Sequence, residues 1–297
     1  MSTVASPMPR IASASPLVIA CLAATWFVWG STYLAIKFAL VSFPPFFQMG
    51  TRFIVAGTVL LAWALWRGQP LPTLTQWRNA FIIGALMLGG GMGGTAYAEQ
   101  TVASGLVVAF IAILPALITL ASLPFGLRPS RLEVIGIGVG LAGVLLLVRG
   151  EAFGASTAGL VAIVTATLCW SIGSVLSQHV FPLAPRAAGY SSEMICGGIF
   201  LMLLSIGTGE TFQWPPEPLA AASWGYLVVF GSLIAFVAYM VLLSSTSPAL
   251  AASYSFVNPV IAMLLGISLG GEAVTQGEWL AVGVIVTGVI VLILGRR

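Results

Sequence analysis

The sequence predicts an all-α, polytopic membrane protein: ten transmembrane helices in two inverted five-helix repeats around a central cavity. Three observations carry that prediction. The composition leaves too little charge for a soluble surface. The apolar text divides into ten stretches of spanning length. Three segments of the first half recur in the second at a nearly constant offset.

Hydrophobic residues make up 59% of the 297 positions and charged residues only 6%, with a mean hydropathy of +1.07. A surface facing water takes roughly 25–35% charged residues, so the solvent that fits is lipid. The net charge of +3 comes from eleven basic residues spread along the chain without a patch, which argues against a nucleic-acid partner. Cys21, Cys169 and Cys196 lie apart in apolar segments and suggest neither a disulfide framework nor a thiolate metal site. With no aspartate and a single histidine, His179, the chain offers no HExxH zinc site and no aspartyl mechanism. No P-loop pattern is present either. An enzyme is therefore not expected, nor is a cofactor or metal.

In order, the candidate spans are roughly 16–37, 44–66, 78–97, 101–121, 131–149, 157–179, 187–207, 220–243, 248–269 and 278–295, each bounded by charges, Pro/Gly clusters or turns. Each approaches the ~20 helical residues that cross a ~30 Å hydrocarbon core, and runs this continuous are helices rather than barrel strands. The weakest boundary is the third, where only Glu99 and Gln100 interrupt the apolar text. Residues 1–15 form a polar tail, and the long run after them reads as a retained span rather than a cleaved signal. With both ends in the cytoplasm, inner segments hold Arg10, Arg67, Arg78, Arg128, Arg131, Arg186, Arg296 and Arg297, against Lys37 and Arg149 outside. That bias fits the positive-inside rule.

The repeat is read from spacing. Gly30-Ser31 of the first helix recurs as Gly173-Ser174 of the sixth, an offset of 143. Pro115 recurs as Pro259, an offset of 144. Glu133, Gly138 and Gly143 recur as Glu278, Gly283 and Gly288, an offset of 145. The expected organisation is a tail (1–15), a first repeat (16–149), a linker (150–156), a second repeat (157–295) and a short C-terminus (296–297). Five helices per repeat is an odd number, so the second copy enters from the opposite face. Such inverted halves are a physical basis for alternating access.

The residues Trp29-Gly30-Ser31, Arg52, Pro115, Trp170 through Gly173-Ser174, Pro259, Glu272 and the Gly283/Gly288 pair resemble the drug/metabolite transporter superfamily in its ten-helix bacterial form with two EamA-type repeats. The chain also resembles the aromatic amino acid exporters of that group. The resemblance runs over residues 16–295 and departs from the pattern at one place. Glu272 lies thirteen residues past Pro259, but Arg128 stands at that offset in the first half. It implies a basket of helices around a cavity, with the fifth and tenth helices at the rear, in a bacterial inner membrane. It also implies export of amino acids or other small metabolites.

Candidate cargo residues follow from helical spacing. Trp26, Gly30, Tyr33 and Lys37 recur at four, three and four and share a face. That face lines a cavity or packs on a neighbour, and Trp29, some 60° away, is open to either reading. Lys37 either snorkels to headgroups or gates the outer mouth. Trp170, Ser174 and Gln178 form a second stripe. Tyr97, Tyr239, Tyr254 and Asn258 add polar aromatic and amide groups, and Met87 and Met92 in the glycine run 84–94 offer adaptable surface. Pro115 and Pro259 mark a hinge or a static kink. Arg52, about 12 Å below the outer start of its helix, either attracts a cargo carboxylate or is structural. Glu193 is the candidate for proton coupling, with neutral burial as its alternative. The expected function is an alternating-access exporter of small metabolites, neutral or aromatic and hydrophobic amino acids first, acting as a monomer by facilitated diffusion or weak proton coupling. A non-selective channel, or an exporter of other metabolites or drugs, is the alternative.

Overall fold

The computed structural model describes residues 15–102, 104–149, 155–270 and 275–295. They form a bundle of ten helices: α1 (Pro16–Ala39), α2 (Pro45–Trp66), α3 (Leu74–Ala98), α4 (Leu106–Phe125), α5 (Arg131–Leu147), α6 (Thr157–His179), α7 (Ala187–Gly207), α8 (Pro218–Ser245), α9 (Pro248–Leu265, with helical turns continuing to Gly270) and α10 (Gln276–Gly295). Glu272, Arg10, Arg296 and Arg297 lie outside the described residues, as do the tail to residue 14 and part of the linker.

α3 begins four residues before the span that apolar content marks. Its first turn is polar, and hydropathy does not register it. A capping box starts it: Thr73 Oγ1 accepts from Gln76 N (3.4 Å) and Gln76 Oε1 from Thr73 N (2.9 Å). The same device explains the recurring glutamate of the repeat. Glu133 Oε2 accepts from Ser130 N (2.8 Å) at the start of α5, and Glu278 Oε2 accepts from Thr275 N (2.7 Å) at the start of α10. Ser130 Oγ also donates to Gly295 O (2.8 Å), tying the start of α5 to the end of α10.

Small residues set how the helices meet, as expected where lipid removes the hydrophobic drive to associate. In α5 and α10, Gly136 meets Leu292, Gly140 meets Gly288 and Gly143 meets Ile285. One number rises as the other falls, so the two helices run antiparallel. Gly50 and Gly57 of α2 meet Gly198 and Ser191 of α7 in the same sense, and Gly91 and Gly94 of α3 meet Trp170 and Ala166 of α6. By contrast α1 and α9 run parallel, Trp26 bonding Ser253 and Gly30 resting on Ile261. Of the four glycines shared by the repeat in α5 and α10, Gly143 and Gly288 sit in the contact, whereas Gly138 and Gly283 have nothing within 4 Å of an added Cβ.

Three helices contain wide, π-helical turns: Ala24–Val28 in α1, Ala85–Gly93 in α3 and Leu227–Phe236 in α8. α4 breaks at Ala112–Ile113, immediately before Pro115. α9 breaks at Ala252–Ser253, ahead of Pro259, which lies inside the helix that follows. The two prolines recur in sequence, but only Pro115 coincides with a break. In α9 the chain turns earlier, through short bonds from Ser255 N to Ala252 O (3.1 Å) and Phe256 N to Ser253 O (3.0 Å).

The start of α2 has no capping side chain of its own, because its N-cap is Pro44. Glu210, from the α7–α8 connection, supplies one: Oε1 accepts from Phe46 N (3.0 Å) and Oε2 from Phe47 N (2.8 Å). A carboxylate there satisfies two orphan donors and faces the positive end of the helix dipole. Glu210→Ala is expected to cost about 1 kcal/mol, read as a lowered melting temperature in detergent, with Glu210→Gln losing part of that.

Candidate functional site

Four aromatic rings meet in the middle of the bundle. Trp29 of α1 lies with its ring centroid 5.8 Å from Trp170 of α6, 5.4 Å from Tyr239 of α8 and 4.6 Å from Tyr254 of α9. Trp170–Tyr239 (5.1 Å) and Tyr239–Tyr254 (5.6 Å) complete the cluster. Edge-to-face and tilted packing of this kind adds to simple burial. The polar ends are tied to the scaffold: Trp29 Nε1 donates to Gly231 O (3.2 Å), and Tyr239 Oη shares a hydrogen bond with Ser174 Oγ (2.8 Å). Gly231 lies in the wide turns of α8, where an added Cβ would come 3.3 Å from Thr32 Cγ2 and 3.5 Å from Arg52 Nη2.

Above the cluster is a narrow pocket of about 80 Å³. Trp29, Trp170 and Tyr254 form its base. Tyr33, Met92 and Thr95 form its walls, with Asn258 on one side and Glu99 at its far end. α1, α2, α3 and α4 of the first half contribute to it, as do α6 and α9 of the second. Gly91 also lines it; a Cβ there would come 3.0 Å from Trp170 Cε3, so the glycine lets the indole press against α3. With its amide oriented as the two neighbouring carbonyls require, Asn258 donates from its nitrogen to Trp26 O (3.1 Å) and Tyr254 O (3.0 Å). Two buried polar atoms of the lining lack a partner: Trp170 Nε1 and Glu99 Oε1. Ile36 and Glu99 are followed in the chain by Lys37 and Gln100, which line a wider recess of about 600 Å³ with the 211–213 stretch.

Five sequence candidates therefore line the pocket: Tyr33, Met92, Trp170, Tyr254 and Asn258. Tyr239 and Ser174 support it from behind, both fully buried. The others lie elsewhere. Trp26 and Gly30 do share a face, but that face packs on α9, with Trp26 Nε1 donating to Ser253 Oγ (3.0 Å). Met87 is fully buried against Gly173. Gln178 donates to Ser177 Oγ (3.1 Å), and Tyr97 stacks on Phe46 at 5.7 Å with over a third of its surface exposed. Pro115 and Pro259 lie outside the lining.

Arg52 and Glu193 are both wholly buried. Arg52 Nε donates to Ser232 Oγ (3.0 Å) and its guanidinium lies 4.7 Å over the Phe53 ring, but neither Nη atom has a hydrogen-bond partner. It is not on the pocket lining, and its Nη2 lies against Gly231. Both carboxylate oxygens of Glu193 are also without partners. Sequence reasoning passed over Thr32, Thr95, Thr167, Met49 and Glu99. The threonines carry no signal, since hydroxyls bonding back to the preceding turn, as Thr95 does to Gly91 O (2.9 Å), are common in any helix. Glu99 was visible as the charge that ends α3.

The profile of the EamA-like transporter family matches residues 16–149 and again 157–294. The chain belongs to the EamA-like transporter family. Family membership makes it a transporter of small molecules rather than an enzyme. An inner membrane transporter of Escherichia coli (strain K12), YedA, is 41% identical over 276 residues, covering 93% of this chain and 90% of that one. Protein PecM of Dickeya dadantii (strain 3937) is 25% identical over 279 residues, 89% of this chain and 88% of that one. A solved crystal structure superposes with a TM-score of 0.79 at 23% identity over 95% of this chain and 98% of the other, which shows a shared fold.

Proposed function

We propose that this EamA-family chain is an alternating-access carrier of the bacterial inner membrane. It exports small metabolites with an apolar or aromatic body, neutral and aromatic amino acids among them, through the pocket above the Trp29 cluster. One observation carries the reading most. Helices of both halves build the pocket, and it rests on a four-ring cluster in which Trp29 comes from one half and three rings from the other, with Trp29, Trp170 and Tyr254 on the lining and Tyr239 behind them. Aromatic faces suit such a body, and the unpaired Trp170 Nε1 offers it a hydrogen bond. The antiparallel pairing of α5 with α10, α2 with α7 and α3 with α6, with a capping box opening both α5 and α10, supports two inverted repeats. The inner-membrane relative YedA supports the location.

In this reading the chain works as a monomer with both termini cytoplasmic. The recess at Lys37 is then its outer mouth, and the aromatic base seals the inner side. Glu193, buried without a partner, is the group for weak proton coupling. Arg52 braces α8 behind the pocket wall, close enough to act on a cargo carboxylate in another conformation. An unpaired charge within lipid is expensive, so both residues are held for a purpose.

Counterflow in proteoliposomes loaded with radiolabelled neutral and aromatic amino acids tests this reading. Exchange of at least one, unaffected by the lipid alone, is expected. Failure of all of them alongside exchange of another metabolite would overturn the cargo assignment, and passive, unsaturable flux would overturn the carrier.

A further inference from the structure

The charge balance of the pocket contains information about its cargo. Among the described residues, Glu99 is the one charged side chain on the lining. Its Oε1 is buried without a hydrogen-bond partner, and the amide of the adjoining Gln100 is turned away, donating to Tyr97 O (3.2 Å). Arg52 is not on the lining, its Nη2 lying against Gly231, and Lys37 lines the recess rather than the pocket. The rest of the lining is the rings of Trp29, Tyr33, Trp170 and Tyr254, aliphatic and methionine side chains such as Ile36, Met49 and Leu114, three threonines and one amide. Edge-on and tilted aromatic rings on the same lining as a carboxyl group offer the two attractions that a desolvated organic cation needs, electron-rich rings and a counter-ion. A free carboxylate entering the same space would meet the Glu99 carboxyl group and no cation on the lining.

We propose that Glu99 is the residue that selects cargo in this carrier, and that the pocket takes a small apolar or aromatic molecule with a protonated amine, binding cations ahead of zwitterions and zwitterions ahead of anions. The inference rests on the pocket being the transport cavity. The buried Oε1 then receives from the cargo ammonium the hydrogen bond it lacks in the empty site.

Three probes with one phenyl ring and different charge separate the possibilities: phenethylamine, phenylalanine and 3-phenylpropanoate, titrated calorimetrically into the purified full chain in detergent. Phenethylamine is expected to bind at least tenfold more tightly than 3-phenylpropanoate. A charge-assisted hydrogen bond lost from a buried site corresponds to about tenfold or more in affinity. Glu99→Gln should therefore weaken phenethylamine binding by that factor while leaving 3-phenylpropanoate unchanged or tighter. Glu99→Asp, which keeps the charge on a shorter arm, should keep the preference for the amine at reduced affinity. Equal phenethylamine binding by wild type and Glu99→Gln would overturn the proposal, and so would equal losses in the Asp and Gln variants. Absence of all binding, in protein that performs counterflow of another metabolite, would overturn it too while leaving the carrier intact. Absence of counterflow by any metabolite would instead strike the underlying reading.

Discussion

Trp29→Ala is expected to abolish counterflow and to lower stability in detergent by about 3–5 kcal/mol, the range for emptying a large aromatic site in a packed interior. Trp29 is 4% exposed and touches three of the other rings at the base of the pocket, so its removal opens a void that Trp170, Tyr239 and Tyr254 line together. A membrane interior does not reward filling that void by hydrophobic collapse, because lipid is as apolar as the side chains. The loss falls on packing and on the hydrogen bond to Gly231 O. Trp29→Phe keeps the ring contacts in part and deletes the bond, and should cost about 1 kcal/mol while retaining measurable exchange. Trp26→Phe is the comparison that gives the result its meaning. Trp26 lies on the α9-facing side of the same helix and bonds Ser253, so counterflow should stay within about twofold of wild type, the effect of removing a remote bond of ordinary strength. If Trp26→Phe abolished exchange and Trp29→Ala did not, the pocket would be on the wrong face of α1.

That pair of tryptophans also shows what a sequence yields. Helical spacing correctly grouped Trp26 with Gly30, but periodicity reports only that residues share a face, and what that face meets is settled by a partner 227 positions away in the chain. Trp29, about 60° around an ideal helix, was open to packing or lining because nothing in its own helix decides between them. The ten spans were legible for a simpler reason: crossing lipid demands about 20 apolar residues whatever the tertiary contacts. Errors at their ends, as at Leu74, arose where polar first turns are held by caps rather than by hydropathy. Tyr254 and Asn258 were found because an amide and a phenol within an apolar run must satisfy themselves somewhere. Glu99 was seen but counted as a boundary, since a charge at the end of a span is usually wetted. Only the fold shows it leaning over the pocket. The recurring glutamates of α5 and α10, read from the sequence only as marks of the repeat, are capping residues.

The glycines of α5 and α10 allow a test of which repeated residues matter for assembly. Gly283→Val should be nearly silent, because an added Cβ there meets nothing within 4 Å and a β-branched residue on a lipid-facing side is well tolerated. Gly288→Val is expected to prevent stable folding. A Cβ at that position would come 2.5 Å from Gly140 N and 2.8 Å from Gly140 Cα, and the obstacle is backbone, which no rotamer change can move. The helices would have to separate, forfeiting the contacts of Gly136 with Leu292 and Gly143 with Ile285 and stretching the bond from Ser130 Oγ to Gly295 O. Forced overpacking costs typically 1–3 kcal/mol at one site when side chains can shift, and here an entire helix pair must yield. Size-exclusion profiles and melting curves in detergent measure both variants side by side. Normal yield and melting of Gly288→Val would mean that α5 and α10 do not cross at that point, and the proposal of an inverted repeat would lose the firmest contact of the antiparallel pairing that supports it.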